Sequence, residues 1–593
     1  MLGLRFPCMS ISAGSAAIAA LLGAPFAVAQ TFSEFTIPTA GSMPAEITTG
    51  HDGALWFTEQ AGNKIARVTT SGTITEFTVP TTNSGPAGIV SGPDGNLWFA
   101  ENTAGKIAKI TTDGAGTITE YPIPTANSQP LTVAVGPYGG IWFVEQGGNN
   151  IGKIDPKTGV ISEYPIPTAN SQPEGIRPGS DGALWFTESG ANKIGKITGA
   201  GVITEFTNPD SAAAVRFIVP APDGKLLFTE AQVDEIAAIG TDGTFKGEAA
   251  PPTSSPGLGY IGLGPDGAVW FTEQQANKIG RVSANGFGSG GVVFSEFPIP
   301  TSASMPLTVT AGPDGNLWFT EQAGNKIGRF TLPASTTPLV AAVLPGSRSV
   351  ESGNIATAFA TIINGGTTAL NSCQIVPLSE VPVTLSYQTT NPATNGLTGT
   401  QNSPVSLAAS GTSGNSQSFL IALTANTTFV PTNVVLSFVC KNVDPALPIV
   451  GVNTLLLSSS STPVPDVIAL GATPSGDGIL DIAGTAGSAA FAVATANVGA
   501  GGTITASVDS GAATLSATLT ICQTNPTTGA CLGPATASYG PVTVNANDTP
   551  TFSIFATASG AIPFAPGGNR IFVRFKDSGG VVRGSTSVAV RTQ

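Results

Sequence analysis

Short apolar runs fill the first half of the chain, and polar turn signals separate them at regular intervals. One unit reads "PEGIRPG" over 173–179, an Asp181-Gly182 step, "ALWFTE", the turn "SGAN", "KIGKI", a "GAG" step and "VITEF". Asp-Gly steps are hairpin chemistry, and the runs between them carry β-branched and aromatic residues at strand length. Each unit therefore predicts four short strands. No stretch keeps a 3.6-residue period, which removes a helical solenoid.

The unit repeats. Its aromatic pair recurs as Trp56-Phe57, Trp98-Phe99, Trp142-Phe143, Trp185-Phe186, Leu227-Phe228, Trp270-Phe271 and Trp318-Phe319, at spacings of 42 to 48 residues. Four strands per repeat at that period predict propeller blades. The outer-strand signature appears at Glu34-Phe35, Glu76-Phe77, Glu120-Tyr121, Glu163-Tyr164, Glu205-Phe206, a degenerate copy near Phe245, and Glu296-Phe297. Its first copy precedes any inner strand and none follows Phe330. The N-terminal strand is thus expected to complete the last blade and leave no open sheet edge. The prediction is an all-β chain with a seven-bladed β-propeller over 31–333. After the linker "TLPASTTP", runs such as "IATAFATII", "VVLSFVC", "AAFAVATANV" and "RIFVRF" predict two β-sandwich modules of an immunoglobulin-like kind, 336–460 and 464–593, divided by "SSSSTPVPD". One larger sandwich is the alternative.

Composition changes the picture in three ways. Charged residues make up only 10% of the 593 while mean hydropathy is +0.22, the opposite of a disordered profile. The net charge of −13 argues against nucleic acid or an anionic membrane as partner. Nearly all of that charge belongs to the propeller, because the region after residue 333 carries seven Lys/Arg against nine Asp/Glu. At the N-terminus, Arg5, the apolar run Ile18 to Val28 and Ala27-Val28-Ala29 before Gln30 read as a cleaved signal peptide over 1–29, so a secreted or periplasmic protein is expected. No later segment is expected to span a bilayer, and a monomer is expected. Cys8 is lost with the signal. Cys373, Cys440, Cys522 and Cys531 then suggest two disulfides, with Cys522–Cys531 the natural short pair and Cys373–Cys440 the other; buried free thiols are the alternative.

The full repeat, "GPDGNLWFTE…NKIGR…G.ITEFPIPT", closely resembles the virginiamycin B lyase (streptogramin lyase) family over residues 31–333. That resemblance implies a seven-bladed propeller and a magnesium-dependent elimination that opens a cyclic depsipeptide at its ester. In the family the base is a histidine directly after the proline opening an inner strand, within Glu-Pro-His-Gly. The corresponding positions here are Ala45, Ala87, Leu131, Glu174, Arg216, Gly259 and Leu307, none of them histidine. Met43, Gly85, Gln129, Gln172 and Met305 precede the corresponding prolines, so the family's glutamate is missing as well. A base must titrate near neutrality to take a carbon-bound proton, and Glu174 could serve only if burial raised its pKa.

Other motifs carry less. The single histidine, His51, replaces the proline of a "GPDG" turn and reads as a solvated turn residue. "GLGYIG" (257–262) matches a dinucleotide fingerprint but lies on an inner strand with no helix behind it. Zinc spacing, a Ser-His-Asp triad and an EF-type calcium loop do not appear. The repeated glutamates Glu59, Glu101, Glu145, Glu188, Glu230, Glu273 and Glu321 read as scaffold forming inter-blade hydrogen bonds; the sharper alternative is an acidic ring binding a metal or a cationic ligand. Ligand binding is expected where the repeats differ, at Glu174, Arg216 and Tyr260. The resulting expectation is an exported lyase-like propeller that binds a small molecule, peptide or surface partner without the lyase reaction and needs no cofactor. The alternative is a divergent Mg-dependent carbon–oxygen lyase acting on a cyclic ester or lactone.

Overall fold

Seven four-stranded antiparallel sheets follow one another from residue 31 to 331, each running from an inner to an outer strand. The computed structural model describes residues 31–136, 139–283, 287, 292–332, 337–378, 381–511 and 513–593. The signal-peptide segment and Cys8 lie outside them. All named elements among the described residues are strands.

The repeat's chemistry explains the blade. In the fourth blade Asp181 accepts from the backbone N–H of Ala183 and from the indole of Trp185, while Lys196 pairs with its other oxygen at 2.6 Å. One turn carboxylate thus fixes a hairpin, a buried tryptophan and a third-strand cation. The indole is fully buried and stacks on the outer-strand Phe206 at 5.4 Å. Trp56, Trp98, Trp142, Trp270 and Trp318 stack likewise on Phe77, Tyr121, Tyr164, Phe297 and Phe35. The glycine of "KIGKI" is a packing requirement, since a Cβ on Gly195 would meet the Phe186 ring at 2.1 Å.

Cores form between blades rather than within them. Trp56 of the first blade packs with Ile89, Leu97 and Phe99 of the second. Polar stitches run alongside. Asn63 accepts from the N–H of Ser84 and donates to the carbonyls of Val79 and Thr81. Asn325 repeats this pattern on Ser42, Ile37 and Thr39, where the chain's two ends meet. There Thr31–Thr36 pairs antiparallel with Lys326–Thr331 and becomes the outer strand of the seventh blade, as the sequence pattern implies.

Each inner strand bulges at the two residues after its first position. In five blades the threonine of "WFTE" or its equivalent fills the gap. Thr58 accepts from the N–H of Glu46 at 3.1 Å and donates to the carbonyl of Ala87 in the next blade at 2.6 Å. Thr187, Thr229, Thr272 and Thr320 make the same two kinds of bond. In the third blade, where Val144 takes that place, the hydroxyl of Thr132 reaches the Glu174 carbonyl instead.

Beyond the propeller lie two β-sandwiches. Numbering the nine strands of each in chain order, from Leu339–Leu344 and from Val467–Ala472, both have sheets ordered 1-3-7-5 and 2-9-8-4-6. The shared order marks the two as copies of one architecture. Cys373–Cys440 and Cys522–Cys531 are both bonded. Asp466 is 2% exposed and joins the sandwiches, binding Arg348 at 2.9 Å and the N–H of Ser349.

The first sandwich docks on propeller turns that follow inner strands and on one third-strand arginine. The N–H of Val430 bonds the Pro93 carbonyl, Gln374 bonds the Asp223 carbonyl, and Arg281 pairs with Asp444 at 3.2 Å. Deleting Thr31–Thr36 removes Phe32 and Phe35 from the seventh blade. Both rings are half-buried, so the expected loss is about 2 kcal/mol or more, against roughly 1.5–3 kcal/mol for each fully buried phenylalanine. Urea denaturation measures it, and limited proteolysis within 306–331 locates it.

Candidate functional site at the channel mouth

The inner strands run from a proline or equivalent at one face of the ring to the docking turns at the other. The residue after that first position borders the channel mouth. Glu174 and Arg216, on adjacent blades, form an ion pair there: Arg216 Nε donates to Glu174 Oε2 at 2.9 Å. The Arg216 guanidinium also lies 5.3 Å from the Phe217 ring centre. Met43 and Met305, on the neighbouring first and seventh blades, are 42% and 43% exposed. Each has a left-handed φ of about 50° ahead of its proline. Leu307 and Leu131 are half-buried, while Ala45 and Ala87 are buried. The mouth is therefore charged on one side and apolar across from it.

One residue further along, the channel is closed. Glu46 of the first blade accepts from Arg177 of the fourth at 2.6 Å and from the Tyr260 hydroxyl of the sixth at 2.7 Å. Its second oxygen accepts from the N–H of Ile89. Arg177 also donates to the carbonyls of Ile176 and Val133 and to Tyr260. Three non-adjacent blades can meet in this way only on the ring axis. Burial pushes the Glu46 carboxyl up, against the pull of Arg177 and the Ile89 N–H. Tyr260, expected among the ligand-binding residues, is 6% exposed and belongs to this plug.

Glu174 and Arg216, both singled out from the sequence, meet as an ion pair, while Glu46 and Arg177 were not singled out. A signal for both exists. Other blades carry Gly88, Thr132, Gly175, Phe217 or Thr308 where Glu46 stands, and Thr48, Val90, Ala134, Val219, Gly262 or Thr310 where Arg177 stands. A charge at a position otherwise small or apolar marks both.

The repeated glutamates occupy a third position. Glu59, Glu101, Glu145, Glu188, Glu230, Glu273 and Glu321 are fully buried. Both carboxylate oxygens of Glu59, Glu101, Glu188, Glu273 and Glu321 lack a hydrogen-bond partner. The expected inter-blade bonds belong instead to the outer-strand glutamates. Glu76 accepts from the N–H and hydroxyl of Thr39 and pairs with Lys64 at 2.6 Å. Burial, then the neighbouring outer carboxylate, raises Glu59, Glu101 and Glu321 to about 7 and Glu188 and Glu273 to about 8. Among the described residues these glutamates do not converge into a ring-shaped metal site; one carboxylate cluster exists, Asp210, Glu230 and Glu248.

His51 is not a freely solvated turn residue. Its Nε2 lies 2.9 Å from the Gly92 carbonyl, beyond the far end of the inner strand from the mouth. Nor do the mouth's donors fit the magnesium ion that the family's reaction implies. Glu174 and Glu46 each hold a guanidinium, which leaves no pair of carboxylates turned toward a common point.

Two outcomes follow from these charges. Glu46→Ala strands Arg177 and is expected to cost about 3–5 kcal/mol in urea denaturation, with much of it recovered by pairing Glu46→Leu with Arg177→Met. Stability also depends on pH. The raised glutamates hold protons that the unfolded chain releases above the ordinary 4.5, so stability falls as pH rises from there to about 8. For Glu34, Glu76, Glu120, Glu205 and Glu296, burial is outweighed by lysine and threonine bonds and the pKa is lowered; that stability is lost as pH falls below 4.5. The melting temperature is expected to peak at mildly acidic pH, and Glu321→Gln to shallow its decline toward pH 8.

Comparison with known proteins places the first half of the chain in one family. The Virginiamycin B lyase family model covers residues 24–176 and 156–338, together more than half of the chain. Virginiamycin B lyase from Staphylococcus aureus is 36% identical, covering 51% of this chain and 100% of that one, with a TM-score of 0.48. A streptogramin B lyase is 37% identical over 51% of this chain and 98% of its own, with a TM-score of 0.48. A catalytically inactive histidine-to-alanine form of the S. aureus enzyme, solved with quinupristin, is 36% identical over 51% of this chain and all of its own, again at 0.48. On the family match, the chain belongs to the virginiamycin B lyase family.

Proposed function

We propose that this protein is an exported, lyase-like propeller that binds an amphipathic small molecule or peptide at the channel mouth without eliminating it. The observation that carries the reading is the mouth itself. A Glu174–Arg216 ion pair stands across from exposed Met43 and Met305, and the family's histidine position is filled by Ala45, Ala87, Leu131, Glu174, Arg216, Gly259 and Leu307. A ligand with one polar end and an apolar body fits such a rim, the polar end fixing orientation and the apolar side supplying burial. Glu174 is a poor proton-abstracting base in this arrangement because Arg216 occupies its Oε2.

Export rests on the signal-like N-terminus and on two disulfides, which fit an oxidising compartment. No helix among the described residues is long and apolar enough to cross a membrane. The sandwiches, docked away from the mouth, would serve as spacers or adhesive modules.

Quinupristin is the first probe, since a relative is solved with it. Calorimetry with the full chain is expected to show saturable binding, weakened about tenfold or more by Arg216→Ala, the loss of a charge-assisted contact. Chromatography after incubation with Mg²⁺ is expected to return the intact ring. Mg²⁺-dependent ring opening abolished by Glu174→Ala would replace this reading with the divergent lyase.

A further inference from the structure

The fifth blade departs from the other six in a concerted way. In five of them a lysine at the start of the third strand sits between a threonine and the outer-strand glutamate. Lys64, Lys106, Lys193, Lys278 and Lys326 place their Nζ 2.6–3.3 Å from Glu76, Glu120, Glu205, Glu296 and Glu34. The same ammonium groups lie 2.5–2.7 Å from Thr39, Thr81, Thr168, Thr253 and Thr301. The third blade has Asn150 there, bonded to Thr125.

In the fifth blade the lysine is Glu235, the threonine is Asp210, and the outer glutamate is kept as Glu248, which pairs with Ala237 as Glu76 pairs with Ala66. The position has lost its cation and gained two carboxylates. One oxygen from each of Asp210, Glu230 and Glu248 lies within 4.8 Å of the other two. Glu230 is fully buried; its Oε1 accepts from Asn208 at 2.6 Å, and its Oε2 has no partner. Asn208 is itself a departure, standing where other blades carry Val79, Ile166 or Ile299. A buried, half-bonded carboxylate beside two others is costly unless a cation joins them.

We propose that Asp210, Glu230 and Glu248 form a binding site for a hard divalent cation of the calcium class, which takes the place of the lysine ammonium of the other blades. All three donors are oxygens, and two of them are accessible from solvent, which suits a large, flexibly coordinated ion better than a tightly octahedral one. Asp210 lies in the segment joining the fourth blade's outer strand, Ile203–Thr207, to the fifth blade's inner strand, Val215–Pro220. Bound cation would tie that segment to the second strand through Glu230 and to the outer strand through Glu248, and so fix the approach to Arg216.

Titration of the chelator-treated full chain with Ca²⁺ tests this. At pH 7.5 calorimetry is expected to give one site per chain, and saturating Ca²⁺ to raise the melting temperature by about 5 °C. Glu248→Gln should weaken binding at least tenfold. Glu235→Lys restores the arrangement of the other blades and should fold as stably as the calcium-loaded protein, with no response to Ca²⁺. Absence of heat and of a thermal shift up to millimolar Ca²⁺ would overturn the site, as would an undiminished response in Glu235→Lys. An equal response to Mg²⁺ would overturn the calcium assignment.

Discussion

Every blade of this ring depends on its neighbour for half of its hydrophobic core. Trp56 is sealed by Ile89 and Phe99 from the next sheet, and each later blade leans on its successor in turn. Such a chain of dependence has no stable end unless its last member meets its first. The strand Thr31–Thr36, lent from the N-terminus to the seventh sheet, supplies that meeting, and Asn325 stitches it to Ser42. An open ring would expose both a sheet edge and an unpaired aromatic layer.

Closure by the outer layers leaves the innermost residues free to vary. In five blades the bulge near the start of the inner strand gives its backbone bonds to a threonine hydroxyl of the second strand, so there neither side chain in the bulge is needed for pairing. Ala45 and Glu174 therefore occupy equivalent places without disturbing their blades. This freedom lets the residue after the first inner-strand position change from blade to blade while the propeller persists.

Repetition made the fold readable. The Asp-Gly turn, the tryptophan above it and the outer aromatic ring are local partners, visible within one copy and confirmed by the next six. Glu174 and Arg216 were readable as exceptions on adjacent blades. Glu46 and Arg177 are exceptions of the same kind, but their pairing was not readable, because they lie 131 residues apart and meet only once the ring is closed. The acidic cluster escaped for another reason: Glu235 and Glu248 look like decay of a repeat when read singly, and only the folded blade brings Glu248 together with Asp210 and Glu230. The repeated glutamate misled most. Its place in the pattern suggested a hydrogen-bonding role, yet the bonds go to its outer-strand neighbour, and the repeated carboxyl stays buried, raised by burial and by that neighbour's charge.

Two of the first sandwich's contacts with the propeller flank a single disulfide. Gln374, which bonds the Asp223 turn, follows Cys373 directly; Asp444, which holds Arg281, lies four residues beyond Cys440. The covalent bond therefore joins the two contact points to each other, behind the surface they make. A pull on the propeller would reach these two contact points as one unit, with the Val430–Pro93 bond holding beside them. Reduction of the disulfide would leave all three contacts in place but let the two move apart independently.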